Sequence, residues 1–426
     1  MLVGSSNLTL LQNYTAISLN KKKIINDPVY GFINIPTDLV FDLMEHPYFQ
    51  RLRYIKQLGM THLVYPGALH TRFHHALGAM HLMQLAVKTL CDKGQNITAE
   101  EEESVMIAIL LHDIGHGPFS HALEKHIVQG IDHEDISTLL MNKLNERFGG
   151  FLDMAIEIFN DTYPKKFLHQ LVSSQLDMDR LDYLNRDSFY TGVSEGIISS
   201  ERIIKMLNVV DDAIVVEEKG IYSIEKFLVA RRLMYWQVYL HKTVTSGEQM
   251  LGKILQRARL LSLQGQELFT TPALNHFLQK NISKEQFINE DHHIETFTCL
   301  DDTDIMAAVK VWIGHPDKVL SKLCQSFIQR RLYQVDITNA KPDAARVDEM
   351  RQKAMKFYNV SFEDAGYFVF TDVISNNAYK VGDANIKILM KGGAIKDITT
   401  ASDNSNLEAL AKTVEKYIFC YTKDLI

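Results

Sequence analysis

The chain has 426 residues, of which 46% are hydrophobic, and its 45 Lys and Arg against 52 Asp and Glu give a net charge of -7. This composition excludes a disordered chain and argues against a general nucleic-acid coat, while the length allows a large helical domain and a smaller one. The four cysteines form no CxxC pair, so neither a zinc knuckle nor a dense disulfide framework is expected. Residues 1–20 lack a basic leader, and no apolar run reaches the ~20 residues that span a bilayer. We therefore expect a cytoplasmic protein without a membrane partner.

The first predicted elements are a hairpin and a helix. Residues 21–35 alternate around Asp27-Pro28 and Gly31, which predicts a short hairpin within an N-terminal segment, 1–36. From Thr37 to Leu58 apolar residues recur at helical spacing, which predicts one helix that ends at Gly59.

A loop at residues 65–71 then leads into a second helix. Arg72 and His75 are three residues apart and therefore share one face of that helix. An Arg next to a candidate metal ligand suits a phosphate oxygen that bridges the metal and the guanidinium group. A surface Arg beside a hydrogen-bonded His is the alternative.

Residues 111–121 read LHDIGHGPFSH and carry the most informative pair, His112-Asp113. Thr98 and Glu101 predict a capping box at the start of the preceding helix, and the glycines after the pair end it, so both residues are predicted on its last turn. Burying an imidazole beside a carboxylate costs several kcal/mol unless each is hydrogen-bonded or binds a metal. The same dipeptide also occurs at solvated helix ends, so a metal site needs support elsewhere.

That support comes from residues 174–187. Asp179, Tyr183 and Asp187 stand at i, i+4 and i+8 and therefore form one polar helical face. A carboxylate from this face would complete a set of two His and two Asp with His75, His112 and Asp113. A solvated helix face is again the alternative.

The second half begins with a long helical pattern at residues 225–262, in which Arg231 and Tyr235 share a face. Beyond about residue 295 strands are predicted at 331–337, 366–373, 386–390 and 417–421, with a helix at 343–357. The predicted fold is mainly α, with a helical domain at 37–290 and a smaller α+β C-terminal region at 291–426.

Taken together, His75, His112-Asp113 and Asp179 match the H...HD...D signature of the HD-domain phosphohydrolases. The segments QRLRYIKQLG (50–59), 66–77, HDIGHGPFSH and DMDRLDYLNRD closely resemble deoxynucleoside triphosphate (dNTP) triphosphohydrolases. The resemblance runs from about Ile25 to Lys242 and continues weakly to the end. It is to the bacterial single-module form, rather than to the vertebrate form with a sterile-alpha-motif domain ahead of the HD domain.

The resemblance implies a helical HD core that binds a divalent metal (Mn, Fe, Zn, Ni or Mg) and hydrolyses a dNTP to a deoxynucleoside and tripolyphosphate. It implies that Asp187 accepts a hydrogen bond from the 3'-hydroxyl and that Tyr183 crowds the 2' position. The implied metal ligands are His75, His112, Asp113 and Asp179. The implied catalytic residues are His121, as general acid, with His116, Arg72 and Glu124. The implied substrate-binding residues are Gln57, His133, Arg180, Tyr183, Asp187, Arg231 and Tyr235.

The family resemblance also implies a homo-oligomer, a dimer or tetramer, to which the C-terminal region contributes, and activation by a guanine nucleotide or a dNTP. Glu45 stands where the vertebrate enzyme has Asp, and Gln334 where it has a phosphate-binding Lys. Two other functions stay open: an HD-family nucleotidase or phosphodiesterase acting on other nucleotides, and a catalytically silent nucleotide sensor. The implied activator residues are Lys23, Asn26, Glu45, Gln50, Arg53 and Arg330.

Overall fold

The computed structural model describes residues 23–120, 123, 127–128, 130–376, 385–403 and 414–426. It is mainly helical with three small sheets in these residues, which confirms the predicted fold class. Buried apolar side chains from Ile33 to Tyr421 form one continuous core. Within the described part of the chain, no helix is both long and apolar enough to span a membrane.

The predicted N-terminal hairpin is present. Strand β1 (Ile24–Asp27) pairs antiparallel with β2 (Gly31–Asn34). Asp27 Oδ1 closes the turn by accepting backbone N–H bonds at 2.9 Å from Val29 and Tyr30. Its Oδ2 accepts a bond of 2.7 Å from Arg186, which ties the hairpin to the helical core.

The helices surround a central group in which α3 packs against both α4 and α8. The helices are α1 (Asp38–Glu45), α2 (Pro47–Gln50), α3 (Arg72–Asp92), α4 (Ala99–Leu111), α5 (His133–Arg147), α6 (Asp153–Phe159), α7 (Lys166–Val172), α8 (Met178–Thr191), α9 (Ser200–Lys205), α10 (Ile221–Met234), α11 (Lys242–Leu263), α12 (Pro272–Gln279), α13 (Lys284–Asn289), α14 (Asp291–Phe297), α15 (Asp302–Trp312), α16 (Lys318–Ile328), α17 (Ala344–Tyr358) and α18 (Ile398–Ala401).

The prediction of one helix from Thr37 to Leu58 is wrong. The chain breaks at His46-Pro47, because proline lacks an N–H donor and disfavours the helical conformation in the residue before it. His46 is extended (ψ 139°) and its Nδ1 accepts the Tyr48 N–H at 3.2 Å, which caps α2. A short 3-10 turn, Arg51–Tyr54, ends the segment.

The prediction of one helix over residues 225–262 is also wrong. Helix α10 ends at Met234, a π-helical turn follows at Tyr235–Tyr239, and α11 starts at Lys242 with His241 as its cap. Such π-helical turns are frequent at functional sites. Here Tyr235 and Tyr239 both border a cavity next to α8.

A four-stranded sheet contains two strands that the sequence analysis did not identify, β3 (Leu207–Val210) and β4 (Ala213–Glu217). They form an antiparallel hairpin, and β4 pairs in parallel with β7 (Lys387–Leu389), which in turn pairs with β8 (Ile395–Asp397). Strands from both sides of residue 290 therefore share one sheet.

The third sheet has the order β5-β9-β6 and is antiparallel throughout. Its strands are β5 (Gln334–Thr338), β9 (Val414–Tyr421) and β6 (Val369–Asn376). The predicted α+β character of this part of the chain is confirmed. The strand predicted from Gly366 begins later, because Asp364–Tyr367 forms a 3-10 turn.

Candidate metal and phosphate site

His75 lies in the interface between α3 and α8 and is fully buried. Its Nδ1 is 2.7 Å from Oδ2 of Asp182 on α8. This contact depends on Gly78, since a Cβ at that position would lie 2.0 Å from Asp182 Oδ1. A carboxylate on Nδ1 fixes the proton there, so the lone pair of Nε2 is free to bind a metal.

His112 is oriented by the backbone instead. It is the C-cap of α4, which ends at Leu111, so the prediction of both His112 and Asp113 on the last helical turn is wrong by about one residue. Its Nδ1 lies 2.6 Å from the Ile109 carbonyl oxygen, which again leaves Nε2 free. Ser137 of α5 holds the next turn, since its hydroxyl donates to His112 O and accepts from Gly115 N.

The structure brings the four predicted metal ligands together. His75 Nε2 and His112 Nε2 lie 3.0 and 3.7 Å from Asp179 Oδ1. The Asp113 carboxylate lies 3.6 Å from His75 Nε2 and 3.3 Å from His112 Nε2. Both Nε2 atoms are buried without a well-formed hydrogen bond to any described residue. Two unsatisfied imidazole nitrogens that face two carboxylates fit a divalent cation with nitrogen and oxygen ligands.

The electrostatics of this cluster favour a cation. Burial acts to lower the pKa of His75, but the carboxylates of Asp179 and Asp182 outweigh it and raise that pKa to about 10. Burial acts to raise the pKa of Asp179, but the adjacent imidazoles of His112 and His75 hold it well below its ordinary value. The carboxylates therefore remain ionised, and without a metal the second proton of His75 supplies positive charge beside them, which a bound cation would replace.

Three arginines border the same cavity. Arg72, the first residue of α3, forms an ion pair with Asp113, and its Nε donates to Ser120 Oγ at 2.7 Å. Arg180 donates from Nε to the Ser174 carbonyl oxygen at 2.7 Å. Arg231 donates to the Gln175 side chain at 2.9 Å and makes no ion pair with the described carboxylates. Its charge is available for an anionic ligand.

His116 and His133 form a stacked pair, with ring centroids 3.9 Å apart. Burial, and next the charge of Arg72, hold the pKa of His116 well below its ordinary value. The backbone of this turn is fixed by Arg51, which donates two hydrogen bonds, at 2.9 and 2.7 Å, to the His116 carbonyl oxygen. Arg51 belongs to the QRLRYIKQLG segment and supports the turn from behind, whereas Gln57 of the same segment lines the cavity.

The polar face predicted on α8 is confirmed, because Asp179, Tyr183 and Asp187 all border the cavity. The Asp187 carboxylate is held by two groups: His70 Nε2 lies 2.8 Å from Oδ1, and the Tyr239 hydroxyl donates to Oδ2 at 2.8 Å. The orientation of this carboxylate is thereby fixed.

The cavity has a volume of about 530 Å³, within the range of small-molecule sites. His121 and Glu124 lie outside the described residues, so the structure says nothing of them. The predicted site residues that line the cavity are Gln57, Arg72, Asp113, His116, His133, Asp179, Arg180, Tyr183, Asp187, Arg231 and Tyr235.

Four residues at or next to this cavity were not identified from the sequence: Asp182, His70, Tyr239 and Glu248. Asp182 follows Asp179 at i+3 and Tyr239 follows Tyr235 at i+4, so the spacing offered a signal for both. His70 and Glu248 carried none. Burial raises the pKa of Glu248 to about 8, so this cavity-lining carboxyl is largely protonated at neutral pH.

The predicted activator residues are mostly exposed, namely Lys23, Asn26, Glu45, Arg53 and Arg330. Gln50 accepts a hydrogen bond of 2.7 Å from Arg53, whose guanidinium lies 3.6 Å from the centroid of the Phe73 ring. Arg330 donates to the Leu63 carbonyl oxygen at 2.8 Å and borders a second cavity. An activator role for these residues stays a prediction.

HD-domain proteins carry paired His and Asp residues on neighbouring helices. Here His75 lies on α3 and Asp179 on α8, next to His112-Asp113. The family model of the HD domain matches residues 72–187 of the sequence, and the family model of the HD-associated region matches residues 198–269. The chain therefore belongs to the HD-domain phosphohydrolase family, as its solved and curated relatives also indicate.

Among the solved structures, a phosphohydrolase from Bacteroides thetaiotaomicron is 54% identical with a TM-score of 0.92, over 95% of this chain and 100% of that one. The uncharacterized protein YwfO of Bacillus subtilis is 34% identical over 96% of this chain and 94% of its own length. A homologue of a deoxynucleoside triphosphate triphosphohydrolase from Dictyostelium discoideum is 33% identical over 57% of this chain and 50% of that one.

Proposed function

We propose that this protein is a metal-dependent dNTP triphosphohydrolase that releases a deoxynucleoside and tripolyphosphate. One observation carries the proposal: a single cavity is bordered by metal-ligand candidates, by Arg72, Arg180 and Arg231, and by Asp187. Asp179 and Asp187 are eight residues apart on α8, hence about 12 Å along its axis, with Tyr183 between them. This spacing suits a ligand that carries phosphates at one end and a sugar hydroxyl at the other.

The similarity to the Dictyostelium protein, which is named a dNTP triphosphohydrolase homologue, supports this substrate class. The predicted ligands of the cation are His75, His112, Asp113 and Asp179. A divalent cation bound there supplies Lewis acidity and neutralises phosphate charge. Asp182 keeps His75 in the tautomer that metal binding requires.

The charged residues of the cavity have complementary parts in the reaction. Arg231 has no carboxylate partner among the described residues and binds the polyphosphate, while Arg72 orients an oxygen of the attacked phosphate beside the metal ligands. Water attacks the α-phosphorus, the bond to the 5'-oxygen breaks, and that oxygen needs a proton. His121 donates the proton as general acid, and Glu124 orients its imidazole.

The sugar is recognised at Asp187. Because His70 and Tyr239 hold both of its oxygens, Asp187 presents a fixed lone pair that accepts a hydrogen bond from the 3'-hydroxyl. Tyr183 packs on the 2' side and disfavours a ribonucleotide. Gln57 lines the same cavity, and its Oε1 is buried without a partner in the described residues, so it accepts a hydrogen bond from the substrate.

Regulation and assembly form a second part of the proposal. A guanine nucleotide or a dNTP binds at Lys23, Asn26, Glu45, Gln50, Arg53 and Arg330, and the protein works as a dimer or tetramer. The exposure of most of these side chains in one chain supports a site shared between subunits.

Phosphorus NMR of the products tests the activity. The protein is incubated with the four dNTPs and Mn²⁺ or Mg²⁺, with and without GTP, and an Asp113→Ala variant serves as the metal-site control. Tripolyphosphate without orthophosphate supports the proposal, and a rate increase with GTP supports the activator site. Orthophosphate or pyrophosphate as the first product indicates a nucleotidase or phosphodiesterase, and no turnover with any metal indicates a sensor.

A further inference from the structure

A second histidine cluster lies away from the cavity, where α12 and α14 meet. His276 comes from the last turn of α12, and His292 and His293 come from the first turn of α14. One imidazole nitrogen of each lies within 4.8 Å of those of the other two. His293 is 3% exposed, whereas His292 is open to solvent.

The contacts within this cluster are close. His276 Nε2 lies 2.7 Å from His293 Nδ1, and the rings of His292 and His293 have centroids 3.9 Å apart. Glu290, which precedes α14, places a carboxylate oxygen 3.4 Å from His293 Nε2 and 3.8 Å from His292 Nδ1. Three imidazoles thus converge from two helices, and the Glu290 carboxylate faces the other nitrogen of His293.

A hydrogen bond between two neutral rings accounts for His276 and His293 but not for the convergence of His292 on them. Three protonated imidazoles at these distances would repel one another, and one carboxylate cannot compensate three charges. Neutral imidazole is the form that binds a transition metal, and a bound ion would accept a nitrogen lone pair from each of the three rings.

We infer that His276, His292 and His293 form a second metal site, for Zn²⁺ or a similar divalent ion that prefers nitrogen ligands. Zn–N bonds of about 2.0–2.1 Å in a tetrahedral site place two ligand nitrogens roughly 3.3 Å apart. His276 and His293 therefore need to separate by only about 0.6 Å from their present 2.7 Å, which a small rotation of either ring provides. Three His supply three of the four tetrahedral positions, and water would fill the fourth.

The position of the cluster indicates what such an ion does. The neighbours of the ligands on the same helices, Phe277 and Phe297, pack edge to face at 6.3 Å. Phe297 also contacts the turn that follows the HD pair, since a Cβ on Gly117 would lie 3.3 Å from its ring. The ion joins α12 to α14 and thereby stabilises the helix that supports this turn. The inference does not depend on the proposed substrate.

The test separates this site from the cavity by starting from a His112→Ala/Asp113→Ala variant, which removes two ligands of the first site. The metal-free variant is titrated with Co²⁺, whose visible absorption reports tetrahedral coordination, and with Zn²⁺ by equilibrium dialysis. We expect one equivalent to bind. Adding His276→Ala or His292→Ala lowers the affinity at least about 100-fold, beyond the 10–100-fold of an outer-shell change.

His315→Asn, which changes a histidine outside both clusters, is the matched control. This variant is expected still to bind one equivalent of Co²⁺ or Zn²⁺. His292 is exposed, so its replacement keeps the test valid if His276→Ala fails to fold, which circular dichroism reports. The inference is overturned if the starting variant binds no Co²⁺ or Zn²⁺, or if binding survives both substitutions.

Discussion

Asp182 offers the sharpest test of how the first metal site is held. Its Oδ2 accepts from both His75 Nδ1 at 2.7 Å and Arg186 Nε at 2.9 Å, while Oδ1 accepts from Arg186 Nη2 at 3.0 Å. In Asp182→Asn one oxygen becomes an NH2 group. In either orientation of the amide this NH2 group faces an N–H donor of His75 or Arg186 instead of accepting a hydrogen bond from it. The negative charge that makes His75 a more basic ligand is also lost.

Two magnitudes follow from these contacts. Loss of an outer-shell partner lowers metal affinity by about 10–100-fold, or roughly 1.4–2.7 kcal/mol at 1.36 kcal/mol per tenfold. Asp182 and Arg186 are both fully buried, so weakening their ion pair costs about 3–5 kcal/mol of unfolding free energy. Asp182→Asn is therefore expected to show both effects.

The control is Asp27→Asn, since Asp27 contacts Arg186 Nη1 at 2.7 Å but does not touch His75. It is expected to lower the unfolding free energy while metal affinity stays close to wild type. Isothermal titration with Mn²⁺ and urea unfolding of the metal-free proteins measure the two quantities separately. Equal metal affinities of the two variants would refute the role given to Asp182.

Three further changes give separate readouts. Gly78→Ala, whose Cβ would lie 2.0 Å from Asp182, is expected to cost about 1–3 kcal/mol or more in urea unfolding, whereas Gly366→Ala, which has open space, costs little. The pKa of Glu248 is about 8 in the folded state, against an ordinary value of 4.5, so the free energy of unfolding falls as pH rises between these values, by at most about 1.4 kcal/mol per pH unit. Glu248→Gln is expected to remove this slope when unfolding is measured as a function of pH. An unchanged slope would contradict the raised pKa of Glu248. Asp187→Asn is expected to lower kcat/KM about 10–150-fold for a dNTP but not for its 3'-deoxy analogue, since a hydrogen bond to a charged group contributes about 1.5–3 kcal/mol. An equal loss of kcat/KM for the two substrates would contradict a role for Asp187 at the 3'-hydroxyl.

The four predicted ligands could be grouped from the sequence because they lie on two regular helices and one short turn; that they bind a metal stays a prediction. The face formed by Asp179, Tyr183 and Asp187 follows directly from helical geometry. The capping box of Thr98 and Glu101 was equally predictable, since both of its hydrogen bonds are local.

Features that depend on distant contacts were not predictable from periodicity. His70 reaches Asp187 across 117 residues of sequence. The four-stranded sheet pairs Ala213–Glu217 with Lys387–Leu389, strands too short and too far apart for pattern analysis. The π-helical turn at Tyr235–Tyr239 has helical periodicity without Gly or Pro, so no sequence signal marked it. The break at His46-Pro47, by contrast, had a visible signal, the proline.

Hydrolysis in oxygen-18 water tests directly whether the protein cleaves the bond between the α-phosphorus and the 5'-oxygen. Attack of water on the α-phosphorus with release of the 5'-oxygen places the label in tripolyphosphate, where phosphorus NMR detects it as an isotope shift on a terminal phosphate. We predict labelled tripolyphosphate and an unlabelled deoxynucleoside. Label in orthophosphate, in a nucleoside monophosphate or on the 5'-hydroxyl of the deoxynucleoside would contradict the account.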